Sequence, residues 1–229
     1  MSGVVYAETV RRHLTSVAFL GYLAFLVIVA LGTSRFNSPA AAWPTLIALL
    51  AIITGSQPIG PEFSSGTLQL ILVKPVTRSA YLLARVAGVA TVTTLAAVVA
   101  CAAELLGRAL WAERLAADIL GVTVLNTAVG AIFTVALLTF FGSFTRAYFN
   151  VAIFLILQVG LSVGMGLAML ARKWPILPRI IDQVNRNLFP DAPHALDAPW
   201  LLLVLSNAAV ALVLACLIFR RREVPYGAD

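Results

Sequence analysis

Charge is what this chain has least of. Asp, Glu, Lys and Arg together make 11% of its 229 residues, against roughly a quarter in an average soluble domain. With hydrophobic residues at 61%, that scarcity excludes an ordinary soluble domain and leaves an integral membrane protein. Histidine is almost missing too, and both His13 and His194 lie outside the apolar stretches. An intramembrane protease needs a nucleophile partnered by a His, or a pair of carboxylates, at membrane depth; neither is present. No apolar stretch offers two acids for a metal, so a metal-dependent lipid-modifying enzyme is not expected either. The two cysteines, Cys101 and Cys216, sit deep in apolar runs with no His or Cys nearby. They read as small buried apolar side chains rather than a disulfide or metal framework. The Gly-x-x-x-x-Gly-Lys-(Ser/Thr) phosphate loop is absent, so no ATP hydrolysis is expected in this chain. The balance is basic, net +6 with a pI near 9.9. No basic run interleaves with aromatics as a nucleic-acid groove requires, and basic flanks of membrane spans account for the charge.

What is present in quantity is apolar sequence in span-sized blocks of about 20 residues. Six are read, roughly 14–32, 41–60, 80–105, 119–142, 149–171 and 199–219, all helical because an open sheet edge is not tolerated in lipid. Arg11 and Arg12 precede the first block as in a signal peptide, but Leu14 to Leu31 exceeds the apolar core of about 7–15 residues that such peptides carry; an uncleaved first span is expected. The second block holds Pro44 and ends Gly55-Ser56-Gln57-Pro58, then Gly60, so its end is expected to kink or unwind. An even number of spans puts both termini on one side. Nine Lys and Arg then fall on the side of the termini and seven opposite, with Arg220 to Arg222 closing the last span. Basic residues at span ends favour the cytoplasm, so cytoplasmic termini are expected.

The long connection 172–198 falls outside. Pro178 is expected to open a short helix with Ile180, Ile181, Val184 and Leu188 on one face and Asp182, Gln183 and Arg186 turned away, an amphipathic lid at the outer interface. In the fifth span Gly160 and Gly164 form a GxxxG extended by Gly166, a spacing that lets helix backbones approach in lipid; it serves packing within the bundle or a dimer contact. Asn126, Asn150, Gln158 and Asn207 lie in or at the edges of apolar blocks, where polar side chains face a partner or a cavity. Gln158 and Asn126 are candidate path-lining positions. Glu104 and Arg85 sit near opposite ends of the third span and are expected to reach the interface by their stems.

The stretch 61–78, Pro-Glu-Phe-Ser-Ser-Gly-Thr-Leu-Gln-Leu-Ile-Leu-Val-Lys-Pro-Val-Thr-Arg, is richer than a turn between two spans requires. Ser64 or Ser65 is placed to cap a helix from Gly66, with Leu68, Ile71 and Leu72 on one face and Pro75 ending it. Glu62 then stands at the N-terminal end, favoured by the helix dipole, and Lys74 and Arg78 meet anionic lipid or an acidic partner.

These residues carry a resemblance. Glu62, then Gly66-Thr67-Leu68, then Lys74-Pro75-Val76-Thr77-Arg78 resemble the segment between the second and third spans of ABC type-2 permeases, the membrane subunits of a group of ABC exporters. Six spans, cytoplasmic termini and a long outer connection before the last span also fit. The resemblance implies a single all-α transmembrane domain over 1–229. Residues 1–13 would be an interfacial elbow helix with Tyr6, Val10 and His13 near one face, and 61–78 a cytoplasmic coupling helix. Glu62, Phe63, Gly66, Thr67, Leu68, Lys74, Pro75 and Arg78 would dock on a separate ATP-binding subunit that holds ATP and Mg. It further implies pairing with a second permease chain, identical or related, and a multi-pass place in a bacterial inner membrane. Few charges in the spans argue against a small hydrophilic ion as cargo, and a hydrophobic or amphipathic substrate is expected. The alternative is a mechanotransmission or anchoring subunit that acts on an extracytoplasmic partner through 172–198.

Overall fold

The structure, a computed structural model, describes residues 2–35, 42–56, 77–111, 113, 117–145, 149–170, 176–189, 193 and 195–221. Among these residues every regular element is a helix: α1 Ser2–Leu14, α2 Val17–Thr33, α3 Trp43–Gly55, α4 Arg78–Leu110, α5 Ala117–Phe144, α6 Phe149–Leu170, α7 Ile176–Leu188 and α8 Ala198–Arg221. Within the described helices proline sits in first turns, at Pro44 of α3, Pro178 of α7 and Pro199 of α8, where its missing N–H has no partner to lose. Hydroxyls inside the apolar helices satisfy themselves locally. Thr54, Thr93, Thr134 and Thr139 each donate to the carbonyl four residues back at 2.7–3.2 Å, which keeps an unpaired O–H out of lipid.

Four helices, α4, α5, α6 and α8, are long and apolar enough to cross a membrane, and the bent pair of α1 and α2 makes a fifth if read as one span. α1 and α2 meet at 62° across Thr15 and Ser16. α3 has 13 residues and rises about 20 Å, short of a hydrocarbon core of about 30 Å; the rest of the block 41–60, apart from Ala42 and Ser56, lies outside the described residues. α4 is longer than the expected 80–105. Thr77 caps it by accepting from Ala80 N at 3.3 Å, and its 33 residues reach about 50 Å, longer than a hydrocarbon core of about 30 Å.

α4 and α5 are the central pair. α1, α2 and α3 pack against α4, with α3 also along α5, and α8 covers the other side of α5. Small residues Ala96, Ala97 and Ala100 of α4 lie fully buried beside Leu26, Ala30 and Ile47. A second apolar cluster joins Phe133 and Leu138 of α5, Phe154 of α6, and Trp200 and Val204 of α8. α6 differs from all of these: 11% of its apolar stretch is buried in the chain, against 61% for α5. It touches α5 and carries α7, a helix-on-helix arm.

Candidate functional site

Glu62, Phe63, Gly66, Thr67, Leu68, Lys74 and Pro75 lie outside the described residues; of the coupling positions only Arg78 is described, as the first residue of α4. The points where the chain leaves and re-enters that segment are described. Ser56 is fully buried, and its carbonyl accepts from Asn150 Nδ2 at 3.2 Å. The same amide nitrogen reaches Leu138 O at 3.3 Å, while Asn150 Oδ1 accepts from Val151 N at 2.9 Å. Asn150 is 1% exposed. One side chain thus pins the end of α3 to α5 and the start of α6, so displacement of that end is felt by both helices.

The far end of the bundle holds a buried ionic group. Glu104 of α4 accepts from Arg108 Nε at 3.0 Å through one oxygen and from Trp43 Nε1 at 2.7 Å through the other. Glu104 and Arg108 are 1% and 3% exposed and Trp43 is fully buried. Glu104 therefore does not reach for the interface as expected. Arg108, four residues on along the same helix face, supplies its counter-charge in place, and a buried carboxylate is tolerated only when so paired. The i, i+4 spacing was the available signal; the role of Trp43 had none, because its partner is 61 residues away. Beside this group, Arg35 stacks over Trp111 with its guanidinium carbon 5.3 Å from the ring centroid.

Arg85 likewise turns sideways rather than outward. Its Nε donates to Tyr81 Oη at 3.2 Å and its Nη1 to Thr9 Oγ1 at 3.4 Å, fixing α1 to α4. Of the α1 face Tyr6, Val10 and His13, Tyr6 pairs with Thr91 Oγ1 at 3.1 Å and Val10 packs into the core. Burial, and then the charges of Arg85 and Arg12, hold the His13 imidazole below its ordinary value.

Gln158 and Asn126 do come together. Both line a cleft of about 470 Å³ between α3, α5 and α6, closed at one end by Trp200 of α8 and Phe189 just after α7. Asn126 donates through Nδ2 to Pro193 O at 2.8 Å. A carbonyl only accepts, which fixes the amide orientation and leaves Asn126 Oδ1 without a donor; Trp200 Nε1 is also buried without an acceptor. Phe133, Phe154 and Phe189 supply apolar wall, Phe154 and Phe189 meeting edge-on at 5.4 Å between centroids.

Gly160 and Gly164 make no close approach among the described residues. A Cβ on Gly160 or Gly166 would meet nothing, and one on Gly164 would touch Ile181 Cδ1 at an ordinary 3.7 Å. On α7 the expected apolar face is divided: Ile181 and Leu188 are half-buried, while Ile180 and Val184 are exposed. Asp182, expected to turn away, is half-buried and pairs with Arg186 at 2.9 Å. Cys101 and Cys216 are free, half-buried thiols on different helices.

The sequence matches no protein-family model and no curated protein.

Proposed function

We propose that the chain is the membrane subunit of an ATP-driven exporter of the ABC type-2 kind. It spans the inner membrane of a bacterium six times with cytoplasmic termini, and it moves a hydrophobic or amphipathic substrate. Catalysis of ATP hydrolysis belongs to a separate ATP-binding subunit, and a second permease chain completes the unit. The observation that carries the reading is the run Glu62, Gly66-Thr67-Leu68 and Lys74-Pro75-Val76-Thr77-Arg78, in a chain with no phosphate loop of its own. Two further facts support it. The segment begins next to Ser56, which Asn150 ties to α5 and α6, so a push at 61–78 has a mechanical route into the spans. The described helices also gather Arg11, Arg12, Arg78, Arg85, Arg220 and Arg221 towards the end where the termini lie, the arrangement expected of a cytoplasmic face.

The test is recovery of the tagged chain from native membranes in mild detergent, with ATPase activity assayed on the eluate. The expected outcome is a co-purifying P-loop ATPase that is lost in a Glu62→Ala, Gly66→Val double variant. A chain that elutes alone, or with an ATPase indifferent to those changes, overturns the reading. The exposed Ile180 and Val184 of α7 favour, as the second reading, force transmission to an extracytoplasmic partner. That reading predicts that replacing α7 abolishes partner capture and leaves substrate-stimulated ATPase intact.

A further inference from the structure

The cleft between α3, α5 and α6 carries a ligand chemistry of its own. At about 470 Å³ it falls in the range of small-molecule sites, roughly 300–1,000 Å³. It also has room for roughly fifteen waters at about 30 Å³ each, more than two orphaned atoms need. No Asp, Glu, Lys, Arg or His lines it among the described residues. Its walls are apolar and aromatic, yet two of its residues have unmet hydrogen-bonding capacity. Among the described residues Asn126 Oδ1 lacks a donor and Trp200 Nε1 an acceptor, on residues 2% and 8% exposed. Gln158, at mid-span in α6, is exposed and lines the same cleft. Orphaned buried polar groups are costly and mark functional positions. Here two of them, from α5 and α8, share one cleft with the Gln158 amide.

We propose that this cleft binds an uncharged amphiphile: an acyl or alkyl chain against Phe133, Phe154 and Phe189, and a hydroxyl- or amide-bearing head at Asn126, Gln158 and Trp200. A hydroxyl both donates and accepts, so one head group offers both the donor that Asn126 Oδ1 lacks and the acceptor that Trp200 Nε1 lacks. Among the described residues a cation or anion finds no counter-charge there, and desolvating it without one is prohibitive. The site lies within one chain and needs no second copy. It deepens the export reading by naming the cargo class and rests on that reading only for movement; binding itself is independent of ATP.

The test uses the full chain in lipid nanodiscs, alone, with a monoacylglycerol carrying a photoactivatable diazirine in its acyl chain as the probe. Labelled peptides are expected to map to α5 and α6 around Phe133 and Phe154, and unlabelled monoacylglycerol should compete. The matching fatty-acid anion and an alkyltrimethylammonium of equal length should compete at least tenfold more weakly. Gln158→Leu should weaken binding roughly fivefold, the scale of one lost hydrogen bond. Gly130 lines the cleft, and a Cβ there meets nothing within 4 Å, so Gly130→Leu should fill the space and abolish labelling while leaving the unfolding midpoint unchanged. Labelling that is not competed, that charged amphiphiles compete equally, or that survives Gly130→Leu overturns the inference. Competed labelling from a chain that brings down no ATPase overturns the export reading alone; a coupled ATPase with no competed labelling overturns this inference alone.

Discussion

Where α1 crosses α4, a Cβ on Gly88 would sit 2.8 Å from Thr9 Cβ; where the end of α2 meets α4, a Cβ on Gly107 would sit 2.8 Å from Ser34 Cβ. On α6 the chain supplies Gly160, Gly164 and Gly166, and among the described residues only Ile181, at an ordinary 3.7 Å from a Cβ on Gly164, comes near them. The two regions hold their helices by different means. Around α4, backbones approach to the limit that glycine permits, polar groups are paired in place, and van der Waals contact, the main force between helices in lipid, is near its maximum. α6 with α7 is an arm tethered to α5, apolar on sides that no other described residue covers. A chain so divided has one part packed closely on itself and one part whose apolar surface stays exposed among the described residues.

The largest effect expected from breaking the first region is at Glu104. Glu104→Leu leaves Arg108 charged and buried and takes the acceptor from Trp43. Removing one partner of a buried pair costs about 3–5 kcal/mol, enough to lower the thermal unfolding midpoint sharply in detergent. The double variant Glu104→Leu, Arg108→Leu should recover most of that loss, because the guanidinium that lost the Glu104 carboxylate goes with it. Equal damage in single and double variants would mean that the contacts of Trp43, not the ion pair, dominate.

Next in size are the glycines. Gly88→Leu and Gly107→Leu force helices apart and should each cost about 1–3 kcal/mol, the scale of overpacking. Gly160→Ala should leave the stability of the isolated chain unchanged or raise it by up to about 1 kcal/mol, since alanine is the better helix former. If the α6 face pairs two chains, Gly160→Leu should reduce the dimer fraction in native mass spectrometry while sparing the fold. A fall in monomer stability on Gly160→Ala would erase the contrast between the regions.

The same contrast marks how much was legible in the sequence. Span-sized apolar blocks, prolines and turn residues locate α4, α5, α6 and α8 to within a few residues, because hydropathy and helix punctuation are local. The lid helix was legible for the same reason, its apolar spacing and Pro178 predicting α7. Pairings were not. GxxxG spacing pointed to α6, whereas the tightest approaches are at Gly88 and Gly107, recognisable only beside Thr9 and Ser34, with Gly55 close against Val135 and Leu138 of α5. Glu104 looked like an interfacial acid because its second partner, Trp43, belongs to another helix. Asn126 and Gln158 were legible as candidates since a polar amide in an apolar run always needs a reason; that they share one cleft depends on how α5 and α6 cross.

Asn150 offers a smaller effect at the joint between the regions. Asn150→Leu removes the ties to Ser56 and Leu138 and should cost about 1–2 kcal/mol, the scale of a buried hydrogen-bonded side chain. Its sharper signature is directional: hydrogen exchange should rise at Ser56 and Val151 and stay unchanged around Gly107. Uniform loosening of the whole bundle would show that the two regions are not mechanically distinct.

The smallest effect expected is a pH dependence at the α1–α4 contact. His13 is held below its ordinary value of 6.5 first by burial, then by the Arg85 and Arg12 charges, while Glu8 lies on the same helix. A histidine whose folded value is depressed binds fewer protons in the folded state than in the unfolded one. Its contribution to stability is therefore complete above 6.5 and is lost as pH falls through the lower folded value. The unfolding midpoint should be level from about pH 8 to about pH 7 and decline below, and in His13→Gln, which keeps a polar side chain without a titrating one, the decline should flatten. Because the repelling charges come from α4 as well as α1, Arg85→Gln should shift the decline to higher dependence on burial alone and so shrink it, without touching the α6 arm. A decline identical in wild type and His13→Gln would assign the dependence to carboxylates elsewhere and leave α1 held to α4 by Thr9 and Gly88 rather than by charge.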